Sequence, residues 1–202
     1  MAPRPYVSRV RAAAAEATRG RVIEAAAEFL RKEPLSAFSL DTVAKAAGVT
    51  RLTVYNQFGS RRGLLEAVFD HLAERGRLGR IEDAVTDRDP RRGLERLAEV
   101  FCDFWSGDLA IGRLHDAMAT DTEFAQALTE RNERRRDAIT ALVERLPLET
   151  SARQRKDAID LIFALMSYPV FRLLSEGRSP ADTGALVKAA CASALTRIDA
   201  GP

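Results

Sequence analysis

The chain has 202 residues, of which 46% are hydrophobic, and a formal net charge of +2. That length is enough for one or two domains with a buried core. The longest apolar run, residues 161–171, is interrupted by Ser167, Tyr168 and Pro169 and is shorter than the ~20 residues that a membrane span needs. The N-terminal residues show no signal-peptide pattern. The two cysteines have no metal-type spacing, which predicts a reduced, cytoplasmic protein.

Charge is unevenly distributed along the chain. Residues 1–80 contain 14 Lys and Arg against 8 Asp and Glu (+6), whereas residues 81–202 contain 17 against 21 (−4). A basic N-terminal part followed by an acidic remainder suits a DNA-binding module joined to a body that does not touch DNA. A basic face that is merely solvated is the alternative interpretation of the same asymmetry.

The N-terminal part is predicted to begin with a flexible arm over residues 1–8, because this stretch contains Pro3 and Pro5. The arginines in and beside the arm are suited to a minor groove or to phosphates, or else they have no fixed role. A first helix is predicted over residues 8–31, since the apolar residues between Val22 and Leu30 recur at helical spacing.

The segment Ser39–Leu65, which we call the reading segment, predicts two short helices and the start of a third. Ser39 has the side chain of an N-cap, and Gly48 allows the chain to reverse after the first helix. Thr50 is the expected cap of a second helix over residues 51–58. Two short helices joined by a tight, glycine-containing turn are typical of a helix-turn-helix, whose second helix enters the major groove.

Helical spacing divides the side chains of the second helix into two faces. Val54 and Phe58 should face the core, and the residues pointing the other way are Arg51, Leu52, Tyr55 and Asn56. Arg51 suits guanine O6 and N7, Leu52 a thymine methyl group, and Asn56 an adenine edge. Gln57 is expected to read a base edge or touch a phosphate. The alternatives are that Leu52 and Gln57 are simply solvent-exposed and that Tyr55 is a core aromatic.

The stretch GVTRLTVYNQFGSRRGLL resembles the DNA-binding signature of the tetracycline-repressor (TetR/AcrR) family. The matching residues are Gly48, Val49, Thr50, Thr53, Val54, Tyr55, Phe58, Ser60, Arg61 and Leu64. Members of that family often have Gly or Ala at the place of Leu52, and aromatic residues or His at the places of Asn56 and Gln57. The operator sequence therefore does not follow from the resemblance.

The resemblance implies an all-α fold with two domains. An N-terminal three-helix helix-turn-helix domain is expected over residues 1–65, and a helical ligand-binding and dimerisation domain over residues 66–202. The resemblance also implies that Thr53, Tyr55 and Arg61 clamp the DNA backbone. The full set predicted to contact DNA is Ser39, Thr50, Arg51, Leu52, Thr53, Tyr55, Asn56, Gln57 and Arg61.

Beyond the reading segment the pattern predicts only helices, about nine in the whole chain. A helix from residue 60 and a turn-like break at residues 86–90 precede helices over residues 91–106, 109–118, 122–145, 151–176 and 181–198. The run RNERRRD, residues 131–137, alternates in sign and is interpreted as a solvated face. Pro169 is expected to interrupt its helix.

The same resemblance implies that the last two long helices pair with those of a second copy in a four-helix bundle. The residues predicted at this dimer interface are Ile159, Ile162, Val170, Leu186, Ala190 and Ala194. The alternative is that these stripes are buried inside one monomer.

A set rich in aromatic residues is predicted to line a ligand pocket, because small-molecule sites combine largely apolar walls with a few polar groups. Its members are Phe101, Phe104, Trp105, Leu114, His115, Met118, Phe163, Met166, Tyr168 and Phe171. Ordinary core is the alternative for each of them.

These features predict a ligand-responsive transcriptional regulator. Its expected form is a homodimeric repressor on a palindromic double-stranded operator, released by a small, largely apolar effector and needing no cofactor or metal. A constitutive sequence-specific or architectural DNA-binding protein without a ligand is the alternative. An all-α enzyme is a remote one, because no triad, metal-ligand spacing or phosphate loop is present in the sequence.

Overall fold

The computed structural model describes residues 5–117, 122–147 and 150–199. Over these residues the chain forms eleven α-helices and one 3-10 turn and contains no strand, which confirms the all-α prediction. The helices are α1 (Pro5–Lys32), α2 (Leu40–Ala47), α3 (Arg51–Phe58), α4 (Arg61–Arg75), α5 (Arg80–Val85), α6 (Pro90–Gly107), α7 (Leu109–Ala117), α8 (Thr122–Glu144), α9 (Ala152–Leu165), α10 (Tyr168–Ser175) and α11 (Pro180–Asp199). The 3-10 turn, Leu35–Ala37, lies between α1 and α2.

Three boundaries differ from the sequence prediction. The helix α1 already begins at Pro5, so residues 5–8 are helical rather than part of a flexible arm. Proline is well tolerated in the first turn of a helix, and the alanine-rich run that follows has high helix propensity. The short helix α5 was not predicted. The helix expected over residues 151–176 is two helices, α9 and α10, which meet at an angle of 56° just before Pro169.

The chain packs as two compact units. The first unit comprises the residues up to His71 together with Leu109–Phe124, and the second comprises Leu72–Asp108 together with the residues from Ala125 onward. This division differs from the expected boundary at residues 65 and 66. The helix α7, which follows α6 in sequence, belongs to the first unit because it packs against α1 and the 3-10 turn.

The core of the first unit is built on the inner stripe of α1. Val22, Ala26 and Leu30 are fully buried there, at the helical spacing that the sequence predicts. The helix α1 packs against α2, and α2 packs against α3. Val43 and Val54 supply the buried side chains of these two short helices. The reading segment is therefore held by a hydrophobic core of its own.

The second unit has one continuous core formed by α5, α6 and the helices from α8 to α11. Its members include Leu97, Leu142, Ile162 and Val187, all fully buried. The helix α11 packs against α6 and α9, and α5 packs against α6. Two free cysteines are also buried here, and burial raises the pKa of Cys102 to about 11 and that of Cys191 to about 12. Both thiols are therefore protonated and unreactive at neutral pH.

The predicted break at residues 86–90 is the loop between α5 and α6. It contains a buried carboxylate, Asp87, which accepts hydrogen bonds from Arg92 Nε at 2.9 Å and forms an ion pair with Arg96 at 2.8 Å. Arg145 donates to the backbone carbonyls of Val85 and Asp87. The hydrogen bonds from Arg92, and next the one from the amide of Asp89, lower the pKa of Asp87 to about 2. The loop is thus fixed by charged partners from α6 and by Arg145, the residue after α8.

Within the described ranges, no single helix is both long and apolar enough to cross a bilayer. The pair α9 and α10 reaches the required length and composition only together, across the 56° bend between them.

Candidate nucleic-acid interface

The reading segment begins with a reciprocal cap at the start of α2. The hydroxyl of Ser39 accepts a hydrogen bond from the amide of Thr42 at 3.1 Å, and the hydroxyl of Thr42 accepts one from the amide of Ser39 at 2.9 Å. Two backbone donors that would otherwise lack partners are satisfied in this way. The N-cap prediction for Ser39 is confirmed, and its hydroxyl is oriented by the helix start.

The turn between α2 and α3 consists of Gly48, Val49 and Thr50. Gly48 has φ of +66°, the left-handed conformation that glycine adopts without steric cost. The amide of Val49 donates to the carbonyl of Ala44 at 3.0 Å, and the hydroxyl of Thr50 accepts from the amide of Thr53 at 3.1 Å. Each helix end is therefore satisfied within the turn, which fixes the direction of α3 relative to α2.

The outer face of α3 is exposed as its spacing predicts. Leu52 and Tyr55 are 65% and 55% exposed, which is unusual for large apolar side chains, and Asn56 is also exposed. Arg51 stands at the N-terminal end of the helix and forms a surface ion pair with Asp41 at 3.3 Å. Surface pairs of this kind are weak, so the guanidinium can exchange Asp41 for another acceptor.

The hydroxyls of Thr50 and Thr53 lie 2.9 Å apart at the same end of α3. They lie at the N-terminal end of α3, where the helix dipole favours an anion. The start of α3 thus combines a guanidinium, two hydroxyls and a helix N-terminus. This combination suits a DNA phosphate beside an exposed base edge.

The C-terminal end of α3 is held by α1. The guanidinium of Arg19 lies over the ring of Phe58, 4.5 Å from its centroid, and donates to the backbone carbonyl of Gln57 at 3.2 Å. The side chain of Gln57 donates to the carbonyl of Ala15 at 3.2 Å. Gln57 is therefore turned towards α1, in contrast to its predicted role at a base edge. Sequence reasoning missed Arg19, whose partners are distant along the chain.

The junction between α3 and α4 is equally tight. Ser60 caps α4 by accepting a hydrogen bond from the amide of Gly63 at 3.0 Å. A Cβ atom at Gly63 would overlap the carbonyl oxygen of Phe58, so the close approach of the two helices requires glycine at this position.

Arg61, which the resemblance predicts to be a phosphate clamp, contacts the segment before α2. Its guanidinium is half-buried and donates to the carbonyl of Phe38 at 3.1 Å and to that of Leu35 at 3.3 Å. Its central carbon lies 5.8 Å from the centroid of the Phe38 ring. Arg61 therefore ties the start of α4 to the 3-10 turn that precedes α2. These hydrogen bonds give Arg61 a structural role within the first unit.

Comparisons with known proteins agree with this geometry. Residues 22–68 match the family model described as bacterial regulatory proteins of the tetR family. The HTH-type transcriptional regulator AlkX of Mycobacterium tuberculosis is 44% identical over 57 residues, which are 28% of this chain and 27% of AlkX. The HTH-type regulator EthR of Mycolicibacterium smegmatis is 28% identical over 158 residues, or 77% of this chain and 70% of EthR.

A solved structure from a Rhodococcus species, described as a TetR-family transcriptional regulator, has the same fold. Its TM-score is 0.72 at 19% sequence identity, and the superposition covers 88% of this chain and 98% of that one. Residues 22–68 therefore belong to the tetR family of bacterial regulatory proteins, and most of the chain is similar to an HTH-type transcriptional regulator. Because these relatives are DNA-binding regulators and not enzymes, the enzyme alternative is rejected.

The residues predicted to line a ligand pocket fall into different units. Leu114 and His115 lie on α7 in the first unit, where Leu114 is buried. Met118 lies outside the described residues. The remaining members, in the second unit, are Phe101, Phe104, Trp105, Phe163, Met166, Tyr168 and Phe171.

The aromatic members in the second unit pack against one another. Trp105 lies 4.9 Å from Phe104, 5.6 Å from Tyr168 and 6.1 Å from Phe101 between ring centroids. Its indole Nε1 donates to the carbonyl of Met166 at 3.0 Å. These residues form a close-packed wall, as the core alternative predicts, and we call them the aromatic wall.

Sequence reasoning missed one charged member of this wall. Arg135 on α8 is only 5% exposed, although it belongs to the run that was interpreted as a solvated face. Its guanidinium contacts the rings of Phe101 and Phe163. Position 135 is four residues before Ile139 and seven before Leu142. Helical spacing therefore places Arg135 on the same buried face of α8.

The residues predicted at a dimer interface divide into two groups. Ile162 and Ala194 are buried in the core of a single chain, which contradicts their assignment to an intermolecular surface. Both side chains point into the core that the helices of the second unit form within a single chain. Ile159, Val170 and Ala190 are half-buried, and Leu186 is 38% exposed. The same three helices also expose Leu161 and Leu173, at 44% and 69%.

Proposed function

We propose that this regulator is a repressor that binds a two-fold operator as a homodimer and leaves it when a small, largely apolar effector binds. The observation that carries the DNA-binding part is the outer face of α3. A short helix, fixed at both ends by caps, exposes a guanidinium, two large apolar side chains and an amide. Exposed apolar groups on so short a helix are suited to contact with base edges and sugar rings.

Base reading is assigned to the outer face of α3. Arg51 exchanges Asp41 for guanine O6 and N7, a bidentate contact that its planar fork matches. Leu52 contacts a thymine methyl group, and Asn56 pairs with an adenine edge. Thr50, Thr53, Tyr55 and the cap residue Ser39 position the protein through phosphate oxygens.

Dimer formation is supported by exposed leucines on the last three helices. Leu161, Leu173 and Leu186 are on α9, α10 and α11, whose inner sides already form the core of the second unit. Large apolar side chains exposed on neighbouring elements favour burial against a partner. One recognition helix reads few base pairs, so two copies on a two-fold site supply the specificity that one lacks.

Effector control is proposed to act through α4. This helix is continuous across the division of the units, with His71 in the first and Leu72 in the second. An effector that favours one arrangement of the second unit shifts the population towards it, and only to the extent of its differential affinity. Release follows if that arrangement no longer places two copies of α3 on successive major grooves.

The DNA-binding proposal is tested by selecting binding sites from randomised duplexes and measuring affinity by fluorescence anisotropy. We expect inverted repeats among the selected sites. Arg51→Ala should weaken binding by about 1–3 kcal/mol and relax the preference at one base pair per half-site. Lys32→Ala is a matched control, because it also removes one cation and both side chains are 68% exposed. Equal effects of the two substitutions would show that Arg51 contributes only charge.

The dimer proposal is tested by light scattering. The wild type and the control Leu109→Glu, which changes an exposed leucine of the first unit, should have twice the monomer mass of 22.2 kDa. Leu173→Glu with Leu186→Glu should give a mass of 22.2 kDa, because charges at the interface oppose association. A wild-type mass of 22.2 kDa at micromolar concentration contradicts the homodimer.

A constitutive DNA-binding protein remains the second candidate. The observation that favours it is the close packing of the aromatic wall, which resembles a filled core. A constitutive protein would keep its operator affinity in the presence of every small apolar compound tested. Loss of that affinity with one compound, reversed on dialysis, favours the effector-controlled repressor.

A further inference from the structure

The inner stripe of α8 contains one charged residue among apolar ones. The buried positions at its C-terminal half are Arg135, Ala138, Ile139, Leu142 and Val143, and four of these five are aliphatic. Arg135 is 5% exposed, so its guanidinium lies inside the second unit and not at its surface.

The partners of Arg135 are aromatic rings. Its central guanidinium carbon lies 4.4 Å from the ring centroid of Phe163 and 5.5 Å from that of Phe101. The next residue, Arg136, takes the neighbouring carboxylates, since it pairs with Asp160 and with Glu133. Among the described residues, Arg135 forms neither an ion pair nor a hydrogen bond, and its Nε atom is buried without an acceptor.

This arrangement leaves a positive charge without an anion. Burial, and to a smaller extent the charge of Arg136, lowers the pKa of Arg135 to about 10, so the side chain is still protonated at neutral pH. Contact with ring faces recovers about 2 kcal/mol of the desolvation cost of a buried cation, which amounts to several kcal/mol. Ring faces also supply no acceptor for the in-plane N–H groups of the guanidinium.

The missing partner can be described from this chemistry. A carboxylate matches the planar fork of Arg in a bidentate hydrogen bond. The charge to be matched is that of one guanidinium, because Arg136 already has carboxylate partners. A dianionic phosphate would bring a second negative charge into an apolar wall. The surrounding rings favour a ligand whose remaining atoms are apolar.

We propose that Arg135 is the anchor of a binding site for a monocarboxylic acid with an apolar body. This proposal rests on the proposed function, since it gives the small effector its chemical class. The carboxylate accepts hydrogen bonds from the edge of the guanidinium, and its apolar body packs against Phe101, Phe163 and their neighbours in the aromatic wall.

A built-in reporter lies beside the proposed site. Trp105 is the single tryptophan of the chain and is stacked on Phe101, whose ring contacts Arg135. Any ligand that reaches Arg135 must therefore displace or contact groups next to Trp105. The intrinsic fluorescence of the protein reports this event without a label.

The test compares each acid with its neutral amide on the full-length protein. Octanoate with octanamide, and benzoate with benzamide, are titrated at neutral pH while Trp105 emission and heat of binding are recorded. We expect at least one of the two acids to bind about 10- to 100-fold more tightly than its amide, because a hydrogen bond to a charged group contributes more than a neutral one. Equal affinities for acid and amide in both pairs, or no binding of either acid, would overturn the proposal.

Substitution of the anchor gives a second measure. Arg135→Met should abolish the preference for the acid and raise the melting temperature of the ligand-free protein, because an unpaired buried charge is removed. Arg134→Met is the control, since Arg134 is the preceding residue on α8 and is exposed. An acid preference that survives in Arg135→Met overturns the proposal. Should Arg135→Met not fold, Arg135→Gln takes its place, with the same expected loss of preference.

A labelled operator duplex separates this inference from the proposed function. Acid binding that leaves the protein on its operator supports the carboxylate site and counts against effector control. Release from the operator by octanamide and benzamide as readily as by the acids supports effector control and overturns the carboxylate site.

Discussion

The reading segment and the surroundings of Arg135 are built by contacts of different range. In the reading segment, the hydroxyl of Ser39 caps α2 by accepting a hydrogen bond from the amide of Thr42. The hydroxyl of Thr50 caps α3 by accepting one from the amide of Thr53. In each pair the two residues are three positions apart. Arg135, in contrast, contacts rings on α6 and α9, which are distant in sequence. The first kind of contact can be inferred from neighbouring residues, and the second depends on how whole helices pack.

This difference has a functional counterpart. The chemistry of the reading segment faces outward, where Arg51 and Asn56 are exposed on a helix fixed by its own caps. The chemistry of the second unit is inward, where Arg135 is buried. An exposed group needs only the right direction to meet DNA, whereas a buried charge needs a partner. The three predictions below test how strongly each region depends on its short-range and long-range contacts.

The largest effect is expected for Gly63→Ala, which breaks a short-range contact. Because a methyl group there overlaps the carbonyl oxygen of Phe58, the start of α4 must move away from the end of α3. We expect a loss of about 3 kcal/mol in unfolding free energy. Amide hydrogen exchange in α3 measures this loss of stability, because the amides exchange faster when the helix opens more often.

The control for this substitution is Gly20→Ala. Gly20 is in the middle of α1, and a Cβ atom there meets no neighbouring atom. Alanine should therefore stabilise the protein by about 1 kcal/mol through helix propensity. If both variants are stabilised, the close approach at Gly63 does not constrain the junction.

The second-largest effect is expected for Arg61→Met, which removes hydrogen bonds between residues that are distant in the sequence of the first unit. Two hydrogen bonds to the carbonyls of Leu35 and Phe38 are lost, and each links α4 to residues more than twenty positions earlier. We expect a loss of about 2 kcal/mol in unfolding free energy, measured by urea denaturation. Arg62→Met should cost about 0.5 kcal/mol or less, because its ion pair with Glu66 is partly exposed and spans one helical turn.

Salt dependence distinguishes this structural role of Arg61 from the clamp that the family resemblance implies. A phosphate contact contributes about 0.9 to the slope of log affinity against log salt concentration. We expect the slope for Arg61→Met to equal that of the wild type. A slope reduced by one contact, with unchanged stability, would restore the phosphate clamp.

The sequence predicted the reading segment well because its signals are local. The cap at Ser39, the reversal at Gly48 and the range Arg51–Phe58 of α3 all agree with the structure. Each depends on the conformational preference of one residue or on a hydrogen bond to a close neighbour. The helix break before Pro169 belongs to the same class, since proline alone removes a backbone donor.

Features that depend on distant helices could not be predicted in the same way. The helix α7 has an ordinary apolar stripe, and nothing in that stripe indicates that it packs against the distant helix α1. The sequence predicts a base-edge or phosphate contact for Gln57, because helical spacing contains no information about the carbonyl of Ala15 on α1. The position of Arg135 could have been inferred from the stripe of α8, but its alternating neighbours outweighed that signal.

Asp87 is expected to show the smallest effect, and it tests a buried charge whose partners are close in sequence. Its pKa of about 2 lies below the ordinary value of 3.8, so folding favours the ionised form. The stabilisation is complete above pH 3.8 and is lost as pH falls towards 2. Asp87→Asn should lower the melting temperature modestly at neutral pH, because the amide oxygen still accepts from Arg92. Below pH 3.8 the wild type should lose this advantage and approach the variant.

The melting temperature between pH 2 and pH 7 measures this convergence, and Asp83→Asn controls for the loss of one negative charge from the same helix pair. A constant difference between wild type and Asp87→Asn across the whole range would mean that the carboxylate charge is not what holds the loop. Asp87 is a buried charge that two arginines already satisfy. Its removal should therefore destabilise the protein, whereas removal of Arg135, which has no anion, should stabilise it.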